Sequence, residues 1–359
     1  MAPRTVPEAT RPRRISPLLA LALGACTVVG MPPGEALPPM PAWEDDGVSP
    51  RTFPEVRALW VVRTTLASPE GVVAMVDRAH RAGFNSLLVQ VRGRGDAWYA
   101  SVLEPAPPEL LGRPDFDPLA LVVREAHARG MGVHAWVNAL LVGGLGTVPA
   151  DPRHLAVSRP EGLAVPRPLA RELFGADPRD PAYARRLRDW ADDNRHRVEG
   201  LFAAPSDPVV RRRVTEVVED LASRYDLDGV HLDYIRYPGP DFDYSRGALE
   251  AFRGWMAERV PAAERAAAEG AWPRDPLAYA EAFPQEWAEF RREQVTRLTE
   301  EVAGAARGAR PGIVVSAAVF PDPEDARRNR FQDWGAWARW GLLDAVAPMA
   351  YTGDADRYR

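Results

Sequence analysis

Hydrophobic and polar positions follow two alternating periods from residue 54 onward. Short apolar runs at 58–62 (ALWVV), 86–91 (SLLVQV), 133–138 (VHAWVN), 229–235 (GVHLDYI), 313–320 and 345–351 have the length and composition of buried strands. Between them lie amphipathic stretches with helix punctuation. Residues 68–82 open on Ser68 with Pro69 at the first helical position and close before Gly83, and residues 117–129 run from Asp117 to Gly130. Further helices are predicted over 208–225, 287–308 and 334–340. Strand–helix repetition of this kind predicts an α/β fold, a parallel sheet covered by helices. A doubly wound nucleotide fold calls for a glycine-rich turn that opens a helix. Arg92-Gly93-Arg94-Gly95 lacks the third glycine and opens none, so a (β/α)8 TIM barrel is the better expectation. Such a barrel needs eight strands in roughly 250 residues, and about six βα units are legible within 55–359. Two aperiodic insertions, 139–207 and 237–286, take up the length. The expectation is a barrel whose seventh and eighth units lie beyond Arg359, the alternative an open six-stranded sheet.

Side chains of a strand alternate between the two faces of a sheet. If Val230 and Leu232 face the helices, His231 and Asp233 point inward. The same parity sends His134, Trp136 and Asn138 inward, with Gln90 and Arg92 on the second strand and Met349 and Tyr351 on the sixth. These polar groups collect toward the C-terminal ends of the strands, the face that carries the active site in barrel enzymes. A buried strand has no structural need for an inward carboxylate, whose desolvation is costly without partners. Asp233 is therefore the leading catalytic candidate, with a structural ion pair to Arg92 or Arg236 as the alternative. His134 and His231 suit polar packing or sugar hydrogen bonding; serving as metal ligands beside Asp233 is the less favoured option, since neither HxH nor HExxH occurs. Trp136, Tyr234, Tyr237 and Tyr351 are candidates for stacking on sugar rings.

Composition narrows the chemistry. All 45 basic residues are Arg, against 50 Asp and Glu, for a net charge of −5. The absence of Lys excludes a Schiff-base lysine, a pyridoxal-phosphate site and a P-loop. The charge balance does not suit a general nucleic-acid binder. One Cys excludes a disulfide framework and a cysteine-rich metal or cluster site. No cofactor is expected. That cysteine, Cys26, ends the run Leu23-Gly24-Ala25-Cys26, after the charged Arg11, Arg13 and Arg14 and a short apolar stretch at 15–25. The stretch is too short to span a bilayer core of about 30 Å. Residues 1–26 therefore read as a bacterial lipoprotein signal with Cys26 as the lipidation site. Residues 27–54 read as a proline-rich tether, with seven prolines in 31–54, and the expected location is extracytoplasmic, lipid-anchored to an envelope membrane.

The segment 225–238 (YDLDGVHLDYIRYP) resembles the strand-four signature of the glycosyl hydrolase-like family 10 proteins. Four further segments agree in order: 57–61 (RALWV), 84–93 with its closing QVRG, 132–138 (GVHAWVN), and 334–352 with its GLLD and APMAYT. The resemblance covers about residues 55–359. It implies a TIM barrel and glycoside hydrolysis in the bacterial envelope, with a polysaccharide as partner and peptidoglycan strands as the leading substrate. Glycoside hydrolysis usually needs two carboxyl groups, about 5–5.5 Å apart for retention and about 6.5–9.5 Å for inversion. Asp233 supplies one; for its partner Asp354 comes first, then Asp96 and Asp322. A 2-acetamido substrate supplying its own nucleophile would need only one acid. Arg92 is expected to orient Asp233 or a hydroxyl, and Asn138 and Tyr351 to bind hydroxyls. A non-catalytic glycan-binding lipoprotein and a metal-dependent deacetylase or amidohydrolase are the readings from other classes.

Overall fold

The protein is described by a computed structural model over residues 55–351. Eight strands follow in chain order: β1 (Ala58–Val61), β2 (Ser86–Arg92), β3 (Gly132–Asn138), β4 (Leu141–Gly144), β5 (Gly200–Phe202), β6 (Gly229–Asp233), β7 (Val314–Val319) and β8 (Ala345–Pro348). Six of them form one sheet in the order β1-β2-β3-β6-β7-β8, every pair parallel. The helices form where the sequence punctuates them. Ser68 Oγ accepts from the Gly71 N–H at 3.1 Å and starts the helix Pro69–Arg81, which is followed by Gly83 at φ +84°. Asp117 starts Pro118–His127 in the same way. The helices Pro208–Arg224 and Pro284–Ala309 pack side by side, and their Val214, Val217, Leu221, Val295, Leu298 and Val302 belong to the main core.

The sheet is curled. Strands β1 and β6 stand three positions apart, about 14 Å in a flat sheet with ~4.8 Å spacing. The Trp60 ring on β1 nonetheless lies 4.7 Å from the His231 ring on β6 and 4.7 Å from Trp136 on β3, edge-on to both. Contact across so many strands requires the sheet to bend around that face, giving a parallel half-barrel whose concave side holds the inward residues.

Two expected strands end early. The run 229–235 stops at Asp233 because Tyr234 takes a left-handed backbone, φ +52°. The run 345–351 stops at Pro348. The two insertions are ordered. The first contains β4 and β5, paired antiparallel as a separate two-stranded sheet, and the helix Pro181–Asp193. The second contains the helices Arg246–Arg259 and Ala262–Ala271. It builds its own apolar cluster, with Leu249, Phe252, Met256, Tyr279 and Trp287.

Candidate active site

Register stacks the inward side chains in layers. Trp136 pairs with His231 and His231 with Ser316; two residues further on, Asn138 pairs with Asp233. Asp233 thus ends β6 at the C-terminal mouth of the half-barrel, with 9% of its surface exposed. Its Oδ1 accepts from the Tyr234 N–H at 2.8 Å and its Oδ2 from Trp136 Nε1 at 3.1 Å. Burial pushes its carboxyl above the ordinary value, and the negative charge of Glu199 adds to that; the Tyr234 N–H, Arg236 and Trp136 oppose it. Trp136 is therefore a hydrogen-bond donor to the carboxyl, held edge-on by Trp60.

Beneath this pair His231 is buried, 1% exposed. His231 Nδ1 lies 2.8 Å from Ser316 Oγ, and burial with His134 nearby pushes its ring down to about 3, so the imidazole is neutral. His134 is a layer lower, packed against Gly229 so closely that a Cβ there would sit 2.1 Å from its Nδ1. Among the described residues no three His, Cys, Asp or Glu side chains converge on a common point as metal ligands would. Asn138 donates to the Gly93 carbonyl at 2.8 Å, but its Oδ1, like Arg236 Nε, is buried without a partner.

Several residues sit elsewhere than strand parity placed them. Register between β2 and β3 shifts so that Gln90 pairs with Trp136 but Arg92 with Val137, whose side chain belongs to the helix-facing set. The bulge turns Arg92 away from the site. Its guanidinium is fully buried in a two-pronged pair with Glu104, at 2.8 and 2.7 Å, and also bonds the Asn138 and Ala139 carbonyls. None of these bonds goes to Asp233. Tyr237 is likewise core: 1% exposed and edge-on to Phe331, it offers no face to a sugar. Tyr351 lies past the end of β8 and is 84% exposed. Asp322 is spent as the N-cap of the helix Pro323–Asn329, and Asp96 accepts from the N–H groups of Gly93 and Arg94 and from Trp98 Nε1. Asp354 and Cys26 lie outside the described residues.

In their place the fold brings Glu199, which precedes β5 in the first insertion. Its Oε1 takes Arg236 Nη2 at 2.8 Å, and Arg236 lies over the Tyr234 ring with its guanidinium carbon 4.9 Å from the centre. The aperiodic, proline-rich stretch around Glu199 carries no signal that would single it out. Arg94, exposed beside Gly144, adds a cation whose field reaches Tyr234.

In barrel enzymes the active site lies at the C-terminal ends of the strands, and Asp233 ends β6 at that face. Residues 55–358 match the family described as Glycosyl hydrolase-like 10, and the chain belongs to it. The glycosyl hydrolase DigH of Escherichia coli K12 is 25% identical, aligned over 94% of this chain and 75% of that protein. The glycosyl hydrolase YngK of Bacillus subtilis is 23% identical over 83% of this chain and 54% of its own length. Among solved structures, the PgaB (BpsB) glycoside hydrolase domain of Bordetella bronchiseptica superposes with a TM-score of 0.50 at 16% identity, covering 83% of this chain and 74% of that one. A β-galactosidase from Bacillus circulans sp. alkalophilus reaches 0.52 at 13% identity, over 85% and 41%. These two likenesses concern the fold.

Proposed function

We propose that this protein is a glycosidase that cleaves peptidoglycan glycan strands from the outer side of a bacterial membrane, with Asp233 as the proton donor. One observation carries the reading. A carboxyl group on the concave face, nine-tenths buried and pushed toward its neutral form, is held by Trp136 and the Tyr234 N–H at the mouth of a half-barrel. A protonated carboxyl group is the form a leaving glycosidic oxygen needs: Asp233 delivers its proton as the C1–O bond breaks and water completes the new bond at C1. Asn138, Arg236 and Tyr234 border the space beside Asp233 and are the residues assigned to the sugar. The activity named for the relatives supports the reaction class. The reading takes the sheet as part of a (β/α)8 barrel and includes lipidation at Cys26 with residues 27–54 as a tether, which would hold the enzyme near wall glycan.

Reducing ends released from purified glycan strands by the full chain test this. Asp233→Asn folds normally and loses turnover by about 10²–10⁴-fold, while a chelator leaves the wild-type rate unchanged. Retained glycan binding with no release by the wild type overturns the reading in favour of a glycan-binding lipoprotein. Loss of activity on chelation points to metal-dependent chemistry instead.

A further inference from the structure

The reaction assigned to Asp233 leaves a second role open, the removal of a proton from the attacking water. The carboxylates that follow strand ends β2 and β7 are engaged, Asp96 with Gly93, Arg94 and Trp98, and Asp322 with the first turn of its helix. Glu199 differs from both. It comes from another part of the chain, the residue before β5, and is carried to the mouth by the small β4–β5 sheet. Phe202 at the end of β5 meets the Tyr234 ring edge-on at 5.8 Å, which fixes that sheet against the end of β6. Arg236 ties the arrangement together, pairing with Glu199 at 2.8 Å while lying over the rings of Tyr234, Phe320 and Phe202.

The two carboxyl groups occupy contrasting surroundings. Asp233 is nine-tenths buried, and burial disfavours its charged form. The Glu199 side chain is 44% exposed and has a guanidinium beside it. The two groups thus differ in exposure, one shielded and one open to solvent. An exposed carboxylate is also the one that water reaches. The charges communicate, since Glu199 adds to the upward pressure on Asp233.

We propose that Glu199 is the catalytic base of this site: its carboxylate takes the proton from the attacking water as the water oxygen bonds to C1. In the same step the C1–O bond to the leaving sugar breaks, and that oxygen receives the proton of Asp233. The proposal rests on the glycosidase reading. It makes the enzyme inverting, with both protons accounted for and no covalent sugar intermediate.

The test uses the full 359-residue chain on purified glycan strands. The product anomer is read by proton NMR in the first turnovers, and the expected result is inversion; retention overturns the base role. Glu199→Gln is expected to bind glycan as the wild type does and to lose turnover by about 10²–10³-fold. Its pH profile is expected to lose the limb on which activity rises with pH, because that limb reports a base giving up its proton. The limb on which activity falls with pH, which belongs to Asp233, is expected to remain. Glu199→Asp restores the rising limb at reduced rate. Glu199→Ala turns over again with added azide, which attacks C1 directly and yields a glycosyl azide. A Glu199→Gln protein with wild-type rate and both limbs, alongside an inactive Asp233→Asn, overturns the assignment of Glu199 alone. A wild type that releases nothing overturns the glycosidase reading beneath it.

Discussion

Burial drives the Asp233 carboxyl group toward its neutral form, and the Tyr234 N–H, Arg236 and Trp136 pull it back. The indole contribution can be removed alone. Trp136→Phe keeps an aromatic ring beside Trp60 but deletes a donor that favours the charged carboxylate, so the Asp233 pKa moves further up. The expected outcome is a falling limb of the kcat/KM profile displaced to higher pH, with a drop in rate because the acid is less well held. An unshifted limb sinks the positioning role of Trp136. Strand alternation by itself makes the inward direction of Asp233, Trp136 and Asn138 legible. It carries no information about which of them bond to each other, since that depends on register between β3 and β6.

Among the elements, β2 and the β4–β5 sheet govern the site in ways periodicity does not record. The bulge before Arg92 reverses its side chain and buries a guanidinium that only Glu104 and two carbonyls satisfy. Glu104→Ala leaves that charge unpaired and is expected to cost about 3–5 kcal/mol in denaturant unfolding. Replacing both partners with apolar residues of similar volume costs less; equal losses would show that the pair has no special role. In the small sheet, Gly200 sits at φ +149°, and a Cβ there would lie 2.0 Å from the Gly143 carbonyl oxygen. Gly200→Ala is therefore expected to push β5 off β4 and displace Glu199, lowering turnover far more than thermal stability. Enzyme that keeps wild-type turnover would contradict that coupling. The main helices are readable from Ser68, Asp117 and their closing glycines because capping is local chemistry. The insertions are not, because their short elements form only against the rest of the fold.

For the whole molecule, buried titratable groups set the response to acid. His134, His154 and His231 are held below the ordinary imidazole value by burial, His231 at about 3. Unfolded, each takes up a proton below about 6.5, so the stability they confer is present above that pH and lost as pH falls toward their folded values. Asp243 works in the opposite sense. Burial raises it to about 6, so the folded state holds a proton that the unfolded chain releases above about 4, and its contribution declines between those values as pH rises. Three imidazoles against two carboxyl groups raised by burial, Asp233 and Asp243, predict urea midpoints that rise from pH 4 to 6.5, as a titration series measures. Asp243→Asn is expected to steepen that rise and His231→Gln to flatten it; a flat series for the wild type refutes the balance.

The sequence alone determined the strand–helix alternation, the helix ends and the face on which Asp233, Trp136, His231 and Asn138 stand. Each of these follows from period or from a cap within a few residues. Tertiary structure alone decided that Arg92 pairs with Glu104, that Tyr237 is core, and that Glu199 pairs with Arg236. A bulge, a left-handed residue after a strand and a two-stranded sheet formed within an insertion each change where a side chain ends up. They do so through contacts between segments far apart in the chain, which no local period can encode.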